Sequence, residues 1–427
     1  MGAEFNLRPL GSGVTTRLHD RLAELGTISD EAGHLTRWFQ SDAVQRAHER
    51  FVDWGRAAGL EVSTDAVGNL RLRWRPDAER TAAPLLIIGS HLDTVRNAGR
   101  YDGALGVLSG LACVEQLQQW GETPPFDVEV VGFADEEGLR FQTAYLGSAY
   151  YAGVFPSAWL KQTDSDGVSL EAVLSRHGRP ASEFLANQKA PEKLLGYLEL
   201  HIEQGPQLEA EDRAVGVVSA IAAQTRARLV FSGRAGHAGT TPMDLRHDAL
   251  CAAAEAILTV ETRARSLSGL RATVGQVTIE PGASNVIPGG VSLSLDIRHA
   301  DGAILESSLI ALREDIQRSA SRRGVGLAWE VLQEGGAVSM DPTLSAVLRT
   351  SAASRQGGTP TLVSGAGHDA AVMARVCPVG MLFVRCRGGI SHHPEEYAAP
   401  EDIETGLAVL SDAVCRLART ERKRSAV

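Results

Sequence analysis

Residues 89–106 read GSHLDTVRNAGRYDGALG. An unbroken apolar run, Pro84-Leu85-Leu86-Ile87-Ile88, leads into them. Such a run predicts a strand buried on both faces, as in parallel sheets. His91 and Asp93 then stand at the strand's end, and Asp102 opens the next helix after a glycine-containing loop. Open α/β sheets form their sites just beyond the carboxyl ends of the strands. One imidazole and two carboxylates at such a point are ordinary zinc ligands. A polar loop with a capping aspartate would also account for these three residues taken alone.

The same grammar recurs outward from this stretch. Ala104 to Trp120 carries helical apolar spacing, and Asp127 to Ala134 (DVEVVGFA) reads as a second buried strand ending in Asp135-Glu136-Glu137. Strand, helix, strand is a βαβ unit, which implies a parallel or mixed sheet. Upstream, residues to about Leu60 read as helical, and Glu61 to Trp74 as a strand pair turned at Gly68-Asn69. Residues 157–195 read as mostly helical connections, and Gly196 to Ile202 as a strand that runs into His201-Ile202-Glu203-Gln204-Gly205. After Ala214 the pattern changes. Gly216–Ala222, Arg226–Ser232, Gly275–Glu280, Val291–Arg298 and Leu327–Leu332 alternate as strands, with helices expected over Pro242–Arg265 and Asp301–Arg323. Thr241-Pro242 supplies a capping residue and a proline for the first of these helices. From Met340 the buried-strand and helix pattern resumes, with a strand at Met381–Arg385 followed by GGISHHP. The expected fold is therefore α/β: a large mixed-sheet domain over 1–213 and 335–427, and an inserted α+β domain over 214–334.

Composition sets the class. The chain has 427 residues, too many for one core, and 44% hydrophobic against 22% charged residues is ordinary for a globular protein. A net charge of -10 argues against a nucleic-acid partner. Arg422-Lys423-Arg424 reads as a solvated C-terminal tail. The five cysteines, Cys113, Cys251, Cys377, Cys386 and Cys415, show no CxxC spacing and read as buried reduced thiols. No signal-peptide core and no bilayer-length apolar run is evident, so a cytoplasmic protein without a membrane partner is expected.

His91, Asp93, Asp102, Glu136, Glu137, His201 and His392 or His393 all follow strands or turns of the large domain. Each could be a satisfied strand-end residue, but their recurrence after every buried strand is harder to explain that way. Two neighbouring divalent ions need about five ligands, one of them bridging, plus a base that binds no metal. This set supplies that number.

The motifs GSHLDTV, YDG, DEEGLRF, HIEQGP, AGHAGTTPM, NVIPGG and SHHPEE, in this order over nearly the whole chain, resemble the hydantoinase/carbamoylase branch of the dimetal aminoacylase and carboxypeptidase superfamily. That branch includes N-carbamoyl-L-amino-acid hydrolases, β-ureidopropionases and allantoate amidohydrolases. The resemblance implies two zinc or manganese ions per subunit, and an inserted lid domain through which the protein forms a homodimer. It implies His91, Asp102, Glu137, His201 and His392 as ligands, with Asp102 bridging and His393 the alternative to His392. Asp93 would orient His91. Glu136 would be the general base. His237 would stabilise the oxyanion in the partner subunit's site. Asn285 and Arg298 would hold the substrate, Arg298 by a bidentate fork on its carboxylate, and Gln204 and Arg226 would add polar contacts. The family often has a second Arg where this chain has Thr225. Asp244, Arg246 and Asp248 read as supports of the lid helix.

The implied activity is hydrolysis of the carbamoyl (ureido) C–N bond of an N-carbamoyl-L-amino acid or allantoate, a small carboxylate substrate, with release of ammonia. One rival is an aminoacylase or dipeptidase of the same superfamily, against which His201 in HIEQGP speaks. The other is an inactive metal-binding scaffold, against which the intact Glu136 speaks, because a structural site needs no free base.

Overall fold

The computed structural model describes residues 7–80, 83–175 and 181–425. In chain order the elements begin with α1 (Ser12–Leu25), α2 (Asp42–Ala57), β1 (Glu61–Thr64), β2 (Leu70–Trp74), β3 (Leu85–His91), α3 (Ala104–Gln119) and β4 (Asp127–Phe133). Then come α4 (Leu146–Tyr151), α5 (Leu170–Ser175), α6 (Ala181–Asn187), β5 (Leu194–Ile202), α7 (Gln207–Ala210), β6 (Val215–Ile221), β7 (Ala223–Ser232), β8 (Gly236–His237) and α8 (Ala249–Ser266). They continue with β9 (Arg271–Thr273), β10 (Val277–Glu280), β11 (Val286–Ile287), β12 (Gly290–His299), α9 (Gly302–Arg322), β13 (Gly326–Gly335) and β14 (Val338–Ser339). The last are α10 (Pro342–Gln356), β15 (Thr361–Ser364), α11 (Asp369–Met373), β16 (Val379–Val384) and α12 (Pro400–Ser425).

Two compact units result: residues 1–219, 340–362 and 367–427 in one, and 220–339 with 363–366 in the other. The first is built on a mixed sheet in the order β1-β2-β4-β3-β5-β16-β6. β3, β4, β5 and β16 pair in parallel, while β2 on β4 and β6 on β16 are antiparallel. β3 and β4 are buried at every residue, as their apolar runs require. α3 is buried on all sides from Ala104 to Leu117, a core helix rather than a surface one. α1 packs Val14, Leu18, Leu22 and Leu25 into the same core.

The second unit is an antiparallel sheet, β10-β12-β7-β13, with β9 also on β12. Residues of β7 and β12 alternate strictly in burial. Their buried sides, Ala227, Leu229 and Phe231 with Leu293, Leu295 and Ile297, pack with Ala252, Ala256, Leu312 and Ile316 of α8 and α9. This half-covered pattern is that of an antiparallel sheet with one wet face.

Several expectations need correction. β6 is not a strand of the small unit: Val215–Val217 pair with Leu382–Val384 of β16, so the boundary falls at Ala220 rather than after residue 213. The N-terminal helical stretch is two helices. Residues 26–41 between them fold around the buried Arg37, whose guanidinium donates to the carbonyls of Leu25 and Leu92. Residues 1–6, included in that helical expectation, and 176–180, within the expected helical connections, lie outside the described residues. The first helix of the small unit starts at Ala249. Asp248 caps it by accepting from the amides of Leu250 and Cys251, while 243–245 form only a 3-10 turn. Arg422-Lys423-Arg424 is no tail but the last turn of α12, and Arg422 donates to the carbonyl of Thr123. All five cysteines are free thiols, but Cys251 is exposed, on the outer face of α8. Among the described residues no helix is long and apolar enough to cross a membrane.

Candidate metal centre

Three adjacent strands of the large sheet, β3, β4 and β5, end at one edge. β3 delivers His91, the turn after β4 delivers Asp135, Glu136 and Glu137, and β5 delivers His201. Asp102 stands two residues before α3. Gly103 between them has φ +65, and a Cβ there would meet the His91 ring at 2.4 Å. The glycine of YDG is thus what lets Asp102 and His91 approach.

Asp102 divides its oxygens. Oδ1 lies 3.1 Å from His201 Nε2 and 3.5 Å from His91 Nε2. Oδ2 lies 3.2 Å from His392 Nε2, and His392 Nε2 lies 3.5 Å from Glu137 Oε1. Two donor triads result, His91–Asp102–His201 and Asp102–Glu137–His392, which share Asp102. A third grouping, His91–Glu136–Glu137, brings in the remaining carboxylate, with Glu136 Oε2 4.0 Å from His91 Nε2. His393 contributes to none of them, and its ring accepts from the Glu395 amide instead.

The tautomers follow from the second partners. His91 Nδ1 is 3.0 Å from the carbonyl of Asp93, and His201 Nδ1 is 2.9 Å from that of Ile202. A carbonyl only accepts, so both Nδ1 atoms carry a proton and both rings turn Nε2 towards Asp102, the atom that would meet a metal. Asp93 therefore orients His91 through its backbone carbonyl. The Asp93 carboxylate lies 3.8 Å from the ring and accepts instead from the amides of Glu136 and Glu137. It holds the turn that carries Glu136 and Glu137.

Electrostatics in the shell are severe. Burial, with Glu137 beside it, pushes the Glu136 carboxyl well above its ordinary range. Burial and the Asp102 charge push Glu137 up to about 7. Burial alone would lower His91, but the Asp102 hydrogen bond and the charges of Glu136 and Asp93 outweigh it and raise it well above normal. Burial likewise opposes the Asp102 charge, and the three imidazoles hold it ionised, well below the usual carboxylate range. Imidazole nitrogens and mutually repelling carboxylates packed into low dielectric are the donors and the charge deficit that divalent cations satisfy. The residues present fit two such ions.

Gln204 is built into the shell rather than turned outward to a substrate. Its Nε2 donates to Asp102 Oδ2 (3.2 Å) and to Ser391 Oγ (3.0 Å), while its buried Oε1 has no partner among the described residues. Other groups escaped the sequence reading. Glu396 is buried and accepts from the amides of Tyr101 and Asp102 and from Ser391. Glu199 accepts from Ser90, Tyr197 and the Ala370 amide. His368 stacks edge-on against His201, with ring centroids 4.6 Å apart. The final Glu of SHHPEE and the stretch GAGHDA (365–370) were the available signals.

The remaining predicted residues belong to the second unit. His237 sits in β8, paired with Val286 of β11, and the carbonyl of Asn285 accepts from the Ala238 amide, so these two neighbour each other. Both are exposed. His237 Nδ1 accepts from the Gly239 amide, 3.0 Å away. Arg298 is already engaged: its fork takes both oxygens of Asp296, at 2.7 and 2.8 Å, and it also donates to the Gly365 carbonyl. Arg226 and Gln224 converge on the same Asp296.

Residues 87–416 match the peptidase family M20/M25/M40 over more than three-quarters of the chain. The chain belongs to the M20/M25/M40 family. It is 42% identical over 427 aligned residues to a probable allantoate deiminase of Oryza sativa subsp. japonica, covering 92% of this chain and 86% of that protein. It is 38% identical to an N-carbamoyl-L-amino acid amidohydrolase of Geobacillus stearothermophilus, covering 95% of this chain and 99% of that protein. A crystal structure of a hydantoinase/carbamoylase family amidase from Burkholderia multivorans superposes with a TM-score of 0.88 at 36% identity, covering 95% of this chain and 97% of that one. The M20/M25/M40 assignment and the paired triads rest on independent observations, one of similarity and one of geometry.

Proposed function

We infer that the protein is a metal-dependent amidohydrolase. It cleaves the carbamoyl C–N bond of N-carbamoyl-L-amino acids or of allantoate and releases ammonia. The observation that carries this is the meeting of two donor triads at the two oxygens of Asp102, with Glu136 beside them. The names of similar proteins supply the substrate class.

His91, Asp102 and His201 would hold one divalent ion, and Asp102, Glu137 and His392 the other. Their donor set suits zinc or manganese. Bound there, the ions would supply Lewis-acid polarisation and acidify water. Glu136 takes the proton from the attacking water and hands it to the leaving nitrogen. Asp93 keeps Glu136 aimed by clamping its amide. Gln204 fixes the bridging carboxylate by donating to Asp102 Oδ2. His237 donates to the developing oxyanion, with Asn285 next to it. Arg298 clamps the substrate carboxylate by exchanging Asp296 for it, and Arg226 then retains Asp296. The second unit, residues 220–339 with 363–366, would act as the lid and dimerisation domain and the first as the catalytic domain, in a homodimer where His237 serves the neighbouring site. Free thiols and an acidic surface suit a cytoplasmic enzyme.

A panel of allantoate, N-carbamoyl-L-amino acids and dipeptides, assayed for ammonia and for free amino acids, tests the function. Ammonia from a ureido substrate is expected. Amino acids from dipeptides without ammonia would reassign the protein to the peptidase side of the family, and turnover of nothing by metal-loaded protein would leave a scaffold.

A further inference from the structure

A cavity of about 500 Å³ opens in the first unit, away from the ligand cluster. One wall is the face of α2 that carries His48, Glu49, Val52, Asp53 and Arg56, residues at three- and four-residue spacing. Leu174 of α5 and Phe184 of α6 make an apolar wall. The volume is that of a small-molecule site.

The polar lining is uneven. Among the described residues, four carboxylates, those of Glu49, Asp53, Asp65 and Glu171, face one guanidinium, that of Arg56. Asp53 is paired with Arg50, and Asp65 is satisfied by the amides of Val67, Gly68 and Asn69 in its own turn. Glu49 and Glu171 have no hydrogen-bond or ion-pair partner among the described residues, so two uncommitted carboxylates remain. The floor is His48. It is only 8% exposed, it lines the cavity, and neither ring nitrogen has a hydrogen-bond partner among the described residues. With no protein partner among them, the ring is left to bond whatever fills the cavity it lines. Burial, with Arg37 nearby, lowers the His48 pKa to about 4, so the ring stays neutral and keeps one acceptor nitrogen.

We propose that this cavity is a second ligand site, which takes a small organic cation: an ammonium head on an apolar body. The ammonium has three donors, which match the acceptor nitrogen of His48 and the two free carboxylates. The body lies against Val52, Leu174 and Phe184. The site also has a route to the chemistry. Gln40, Gln45, His48 and Gly68 line both this cavity and a void of about 10 Å³ that reaches Asp93 and Asp135, behind the turn carrying Glu136. An occupant there touches the residues that back the catalytic turn without entering the centre itself.

Calorimetric titration of the metal-loaded, full-length protein with 2-phenylethylamine tests the proposal, with 2-phenylethanol as the uncharged isostere. One saturable site per chain is expected, with the alcohol weaker by about tenfold or more, the worth of a charge-assisted contact. Glu49→Gln with Glu171→Gln should weaken the amine by a similar factor, and both residues are exposed, so the fold survives. Val52→Trp, which fills the cavity, should abolish binding while turnover is unchanged. The proposal is overturned by the absence of saturable binding up to about 10 mM, a weak-ligand limit. It is equally overturned if the amine binds no tighter than the alcohol, or if the double variant binds the amine as wild type does, which would put it elsewhere.

Discussion

Glu136 and Glu137 are sequence neighbours for which opposite roles are proposed, and they differ in what each faces. Glu137 looks at His392, across from Asp102, whereas Glu136 looks only at His91, at the edge of the cluster. Glu136→Gln should keep both metals and lose about 10²–10⁴-fold in kcat, the worth of general-base catalysis. Glu137→Gln should lose metal. Metal analysis of the two variants checks this, and an exchange of the two outcomes would exchange the two roles. Gly103 tests the packing around the same cluster. Gly103→Ala forces a Cβ into the His91 ring from a left-handed backbone, so stability should fall by about 1–3 kcal/mol. Metal should also be lost more readily in dialysis, while a variant with wild-type melting and metal retention would show that the turn is slack. At this scale the gathering of His91, Glu136, Glu137 and His201 was legible because each stands at or just past the end of an apolar run. The use of Asp93 was not, because residue identity does not say whether a backbone or a side-chain oxygen makes the contact. The engagement of Arg298 was hidden for the same kind of reason: its partner Asp296 lies two residues away on the same face of β12, and an alternating pattern does not show that pairing.

Among the elements, β3, β4 and β5 were legible from unbroken apolar runs, which only a strand covered on both faces requires. β6 was misplaced because its sequence, VGVVSAI, reads the same in either sheet. Its pairing with β16, more than 160 residues further on, and with β15 assigns it. α8 illustrates a local failure. Thr241-Pro242 is a legitimate start signal, but the chain continues through a 3-10 turn to a better cap, Asp248, which satisfies two amides where threonine satisfies none. Asp248→Ala should therefore cost the second unit about 1 kcal/mol, the value of a helix cap, whereas Thr241→Ala should cost less. Urea denaturation of both variants measures the difference, and equal losses would return the start to Thr241.

For the whole molecule, the two-unit plan was legible from the change of periodicity after Ala214, though not its boundary. The proposed trans action of His237 has a direct consequence. Co-expression of Glu136→Gln chains with His237→Ala chains should restore activity, because a mixed dimer holds one site with both groups intact and one with both missing. With random association about half the dimers are mixed, so recovery should approach roughly a quarter of wild type in a closed two-fold dimer. Isolated mixed dimers without activity would confine His237 to its own chain. Beneath this lies the central claim, a centre of two divalent ions held by His91, Asp102, Glu137, His201 and His392. The measurement that tests it most directly is elemental analysis of protein stripped with chelator and titrated back with zinc or manganese, with ammonia release followed at each step. The account predicts no activity in the stripped protein and activity that saturates at about two equivalents per chain, the number a two-metal centre holds. Full ammonia release from protein without metal, or saturation at a single ion, would contradict it.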